Sequence, residues 1–147
     1  MLIVEVNDLT IINNKEVDGF LIGTKFISSE VYKKFEKEEV LEFTNKAHQL
    51  GKIVVLDATS IFHEQDLLKV KEIIEYLNDV DLIMYNDLAL MKLIPLKKRF
   101  YYSTTYITNK YDFEIVKDEN SKVLVSPELT LNELKLFSEK EGAILIG

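Results

Sequence analysis

Carboxylates, hydroxyls and an amide fall where short β-type runs of this chain come to an end. Asp57 follows the run 53–56, Asp87 follows 82–85, Ser103 and Thr104 follow 100–102, and Glu128 follows 123–125. Asn109 closes the polar stretch that Ser103 opens. Paired carboxylates divide acid and base roles when unequal desolvation separates their pKa values. On that ground Asp87 and Glu128 are the candidate acid/base pair, and Asp57, Ser103, Thr104 and Asn109 are candidate substrate-binding groups, with Asn86 and Ser126 beside them. Structural roles compete with each assignment. Asp87 stands where it would cap a helix starting at Leu88, Glu128 stands where a helix dipole favours an acid, and hydroxyls at strand ends commonly satisfy loop amides.

These positions line up only if strands and helices alternate. Apolar runs at 2–6, 20–22, 53–56, 82–85, 100–102, 123–125 and 143–146 give seven strand candidates. Segments 38–50, 65–77, 88–93, 111–117 and 130–139 carry helical spacing between them. In 65–77, Leu67, Leu68, Val70, Ile73, Ile74 and Leu77 form one apolar stripe. Thr130 with Glu133 fits a capping box, and Gly51 sits where a helix should stop. Such alternation implies right-handed βαβ crossovers and a parallel sheet, with ligands at the carboxyl ends of its strands. The expected fold is α/β, one domain over residues 1–147 with about seven strands. No glycine-rich phosphate loop follows the first strand.

Other chemistry finds less support. A nucleophilic serine needs a base within reach, and the two histidines are His48, expected on a helix away from the strand carboxyl ends, and His63, expected at the surface. Neither has a histidine partner at ligand spacing, so no metal site is assigned. Within Phe100-Tyr101-Tyr102, strand alternation sends Phe100 and Tyr102 to one face and Tyr101 to the other. Zero cysteines leave no thiolate for a metal or an iron–sulfur cluster, and no cofactor is expected. The net charge of −7, from 25 acidic and 18 basic residues, argues against nucleic acid as a partner. Lys97-Lys98-Arg99, the basic triplet, reads as a solvated turn. No run approaches the roughly 20 apolar residues of a membrane span, so a cytoplasmic chain is expected.

Several motifs, taken in order, resemble the N-terminal barrel domain of the collagenase-like peptidases of family 32, whose catalytic type is unassigned. Ser103-Thr104-Thr105-Tyr106-Ile107-Thr108-Asn109 is similar to the family's Ser-Thr-Gln-x-x-x-Thr-Asn, one residue shorter and with Thr105 where the Gln would fall. Pro127-Glu128-Leu129-Thr130-Leu131-Asn132-Glu133 is similar to Arg-Glu-Leu-Ser-Leu-Glu-Glu, with Pro127 for the Arg. Gly23-Thr24-Lys25-Phe26, Ala47-His48-Gln49-Leu50-Gly51-Lys52, the segment 63–67 and Asp81-Leu82-Ile83-Met84-Tyr85-Asn86-Asp87-Leu88 also match in sequence order. Thr59 stands where members usually carry an Asn. The resemblance implies a parallel (β/α) barrel-like domain of TIM type over residues 1–147, incomplete at about seven strands, and a peptidase-like, hydrolase function. It also implies a domain inactive alone, because the cysteine-containing signature that follows the Gly aligned with Gly147 is not in the chain. The alternative is a non-catalytic binding or assembly module that uses the barrel mouth. Open barrel edges are expected to favour self-association, and peptide or another polar substrate would be the ligand.

Overall fold

Runs such as Ile53-Val54-Val55-Leu56 are β-branched or apolar at every position, so both faces of the strand must be covered. In the computed structural model, which describes residues 1–103, 107–138 and 143–144, they are covered on both sides. The elements are β1 (Ile3–Glu5), β2 (Gly19–Thr24), β3 (Lys34–Phe35), α1 (Lys37–Gln49), β4 (Ile53–Ala58), α2 (Leu67–Tyr76), β5 (Leu82–Tyr85), β6 (Arg99–Tyr101), α3 (Lys110–Lys117), β7 (Lys122–Leu124), α4 (Leu131–Ser138) and β8 (Ala143–Ile144). Strands pair in the order β1-β2-β4-β5-β6-β7-β8, all parallel, and β3 pairs the carboxyl end of β2. The fold is α/β, an incomplete parallel barrel. Among the described residues β1 and β8 do not pair.

Alternate residues of each strand serve two different cores. Phe20, Ile22, Val54, Leu56, Ile83 and Tyr85 point outward against Val40, Phe43 and Ala47 of α1 and Val70, Ile73 and Ile74 of α2. Phe20 meets Phe43 edge to face at 5.1 Å between ring centroids. The residues between them, Leu21, Val55, Leu82, Met84, Phe100 and Leu124, fill the inside of the curled sheet. A third cluster joins Ile107, Val123 and Val125 to Phe113 of α3 and Phe137 of α4. Phe100 and Tyr102 lie with the inner set and Tyr101 with the outer ones, as strand alternation requires.

Helix ends follow local chemistry. Gly51 has φ +69°, and with it the amide of Lys52 donates to the carbonyl of Ala47 at 3.0 Å while that of Gly51 donates to His48 at 2.9 Å. That pair of bonds is a Schellman stop for α1, and the left-handed φ is why glycine serves there. Thr130 and Glu133 form the expected capping box, with the Thr130 amide donating to Glu133 Oε2 at 2.8 Å. Burial pushes the Tyr85 hydroxyl up to about 12, so it stays a donor at ordinary pH and bonds Asn120 Oδ1.

Several sequence expectations need correction. The segment 88–93 forms a 3₁₀ turn, Leu88–Lys92, because Pro95 follows too soon for a longer helix. β3 was not expected, since two residues carry no periodicity. Lys98 and Arg99 are half-buried braces rather than a solvated turn. Lys98 Nζ donates to the Val80 carbonyl at 2.9 Å, and the Arg99 guanidinium donates to the carbonyls of Ile94 and Glu119 at 2.9 and 3.0 Å.

Candidate functional site

The carboxyl end of β4 gathers the loop that follows β2. Asp57 is fully buried there, on the inner face two residues beyond Val55. Its Oδ2 accepts the amides of Glu30 and Val31 at 3.0 and 3.1 Å, and its Oδ1 accepts the amide and hydroxyl of Thr59 at 3.0 and 2.6 Å. The Thr59 hydroxyl also accepts the Glu30 amide at 3.2 Å and lies 3.0 Å from Ser29 Oγ. Ser28 completes the seam, its hydroxyl accepting the Thr24 amide at 2.8 Å and donating to the Asp57 carbonyl. Loop and strand end are therefore tied together by hydrogen bonds. Gly23 permits the approach, because a Cβ there would sit 2.1 Å from Val31 Cγ2.

This loop walls a cleft of about 270 Å³ over the inside of the curled sheet. Leu21, Met84 and Leu124 supply inner-face apolar surface, and Val31, Val125 and Pro127 stand at its sides. Its polar groups are Glu5, Glu30 and Tyr102. Each carboxylate is oriented from within the chain: the Tyr32 amide donates to Glu5 Oε1 at 2.6 Å, and the Tyr102 hydroxyl donates to Glu30 Oε2 at 3.1 Å. No lysine, arginine or histidine lines the cleft among the described residues. The arrangement combines an apolar slot with preoriented acceptors, which suits binding of a stemmed polar group.

The residues singled out from the sequence are dispersed around this cleft. Asp57 does not line it; the carboxylate acts through the loop that does. Asp87 caps the turn Leu88–Lys92, with Oδ1 accepting the Ala89 amide at 2.9 Å and Oδ2 accepting the Phe62 amide at 3.0 Å. Glu128 lies on an exposed turn ahead of α4, three residues before the helix begins, and its amide donates to Ser126 Oγ at 3.2 Å. It is not the early-helix acid of the alternative reading. No hydrogen bond joins Asp87 to Glu128 among the described residues. Ser103 is buried just past β6, and Thr104 lies outside the described residues. Asn109 caps α3, its Oδ1 accepting the amides of Tyr111 and Asp112 at 3.0 Å each. Asn86 Oδ1 is buried and has no partner among the described residues. His48 bonds Asp81 at 2.9 Å at the amino end of β5, and His63 is exposed.

Glu5, Glu30 and Tyr102 were not singled out as site residues. Glu5 did leave a signal, a lone charge two residues after Ile3 inside an apolar strand run. Glu30 left none, because its place depends on the Asp57 seam and not on any local period.

Comparison with known proteins bears on this geometry. The family model described as peptidase family U32 matches residues 5–145. The chain is similar to the uncharacterized protease MJ0090 of Methanocaldococcus jannaschii, at 32% identity over 141 residues, which cover 90% of this chain and 35% of that protein. The chain thus spans about a third of that relative's length. The solved structure of the U32 peptidase Mk0906 superposes with a TM-score of 0.75 at 14% identity, covering 99% of this chain and 67% of that one. At that identity the likeness establishes the fold. The matched span, the ordered motifs and the parallel half-barrel agree, and the chain belongs to peptidase family U32.

Proposed function

We propose that this chain is a substrate-recognition part of a U32-type barrel, which holds a peptide segment at the strand-end cleft and does not hydrolyse it unaided. The observation that carries the reading is the preorientation of Glu5 and Glu30 over an apolar slot, while Asp87 and Glu128 sit in separate loops. Hydrolysis by a carboxyl pair needs both groups within reach of one bond. Asp87 has both oxygens bonded by amides, so its arrangement supports capping more than proton transfer. Family membership supports a peptide as the ligand class. A cytoplasmic setting is part of the proposal, and the cysteine-free composition is compatible with it. Among the described residues no helix is long and apolar enough to cross a membrane.

Fluorescence anisotropy on a labelled mixed-sequence peptide pool, with chromatography of the same samples, tests this reading. Saturable binding with no cleavage above a buffer control is expected. Cleavage that disappears in Asp87→Asn or Glu128→Gln would instead make the chain an autonomous hydrolase.

A second reading, assembly, is favoured by the open sheet. β1 and β8 end the strand order, and an unpaired parallel edge is a template for another chain. Light scattering is expected to show a dimer or larger species; a monomer at every concentration removes this reading.

A further inference from the structure

Charge in the cleft is of one sign. Glu5 and Glu30 enter it from β1 and from the loop after β2, and no basic side chain lines it among the described residues. Each carboxylate uses one oxygen for a bond within the chain, Glu5 Oε1 with Tyr32 and Glu30 Oε2 with Tyr102. Glu5 Oε2 and Glu30 Oε1 accept no hydrogen bond among the described residues. A carboxylate offers about four lone-pair sites, so both groups keep capacity for a donor from outside.

The rest of the cleft is apolar. Leu21, Met84 and Leu124 extend the inner core to its floor. At about 270 Å³ the space is small beside ordinary ligand pockets, which run from roughly 300 to 1,000 Å³. One long side chain fits this volume better than a whole substrate. Two carboxylates lining a greasy slot select a positive head on a methylene stem, because the stem covers apolar surface while the head stays with the acceptors.

The geometry points to a basic side chain of a peptide, arginine before lysine, as the group this cleft takes, its stem against Met84 and Leu124 and its head between Glu5 and Glu30. This rests on the peptide-recognition reading and adds its specificity. Arginine leads because its planar fork presents five donors in fixed directions, enough to engage two carboxylates at once. Asp57 is a positioning residue here: it fixes the amides of Glu30 and Val31, and so where one carboxylate stands.

The test uses two probes, acetyl-Ala-Arg-Ala-amide and the same peptide with citrulline, which keeps the shape and removes the charge. Titration calorimetry on the full chain is expected to show the arginine peptide binding at least tenfold more tightly at low salt, and to show that advantage shrinking as salt is added. In a Glu5→Gln, Glu30→Gln double variant the two peptides should bind alike. Glutamine keeps the oxygen that Tyr32 and Tyr102 bond, so this variant is expected to fold, and its thermal melt checks that it does. Equal affinity for both peptides in the unaltered chain overturns the cation preference while leaving peptide recognition standing. An arginine preference that survives in the double variant overturns the assignment to this cleft. Failure of both peptides to bind at any concentration overturns the recognition reading as well.

Discussion

Replacing Asp57 with alanine is expected to lower the stability of the chain by about 4 kcal/mol, the largest loss among substitutions near the cleft. The carboxylate is fully buried and accepts four hydrogen bonds, from the amides of Glu30, Val31 and Thr59 and from the Thr59 hydroxyl. Hydrogen bonds to a charged group contribute about 1.5–3 kcal/mol each, and a buried donor left without an acceptor costs about 1–3 kcal/mol. Val31 is buried and the Glu30 amide partly so, which means water can replace only part of what alanine removes. For a chain of this length the loss corresponds to a drop in Tm of roughly 12 °C. Asparagine should fall between, since it keeps one acceptor oxygen but turns an amino group toward donors. Urea unfolding followed by circular dichroism measures the change. A loss below about 1 kcal/mol would mean that Ser28 and Thr59 hold the loop without the carboxylate.

Substituting Gly23 by alanine is expected to destabilise by about 2 kcal/mol and to weaken peptide binding in the same variant. The reason is space. An added Cβ would stand 2.1 Å from Val31 Cγ2 and 3.2 Å from the Ser28 side chain, with Val31 buried and its amide held by Asp57. Relief requires the Val31 side chain or its loop to shift, which alters the wall of the cleft that Glu30 and Val31 line. Adding Val31→Ala deletes the clashing methyl. The double variant should therefore be more stable than the sum of the two single losses predicts, an interaction that a double-mutant cycle isolates. Strictly additive losses would place the strain elsewhere.

Much of the scaffold could be read from the sequence because it depends on local pattern. The run at 53–56 has to be a two-sided strand, Gly51 has to end a helix, and Thr130 with Glu133 has to begin one; β4, α1 and α4 bear this out. The incomplete parallel barrel and the family followed from ordered motifs. The cleft was less legible. Asp57, Asp87 and Asn109 were found as polar groups at strand ends, yet what each does depends on which backbone amide comes within 3 Å, and that is fixed by tertiary approach. Asp57 reaches 26 residues back to Val31. No period or turn rule in either segment announces that pairing. Glu30 follows from it, placed at the cleft by a carboxylate on another strand.

Under the proposed recognition role, ligand is held at this cleft and not elsewhere on the surface. Methyl NMR during titration with acetyl-Ala-Arg-Ala-amide tests it most directly, with Met84, Leu124 and Leu21 as reporters in the cleft and Leu50 and Leu96 as reporters on the exposed surface. Saturable shifts are expected for the first three and none for the last two. Saturable shifts confined to Leu50 or Leu96, with Met84 unmoved, would contradict that role.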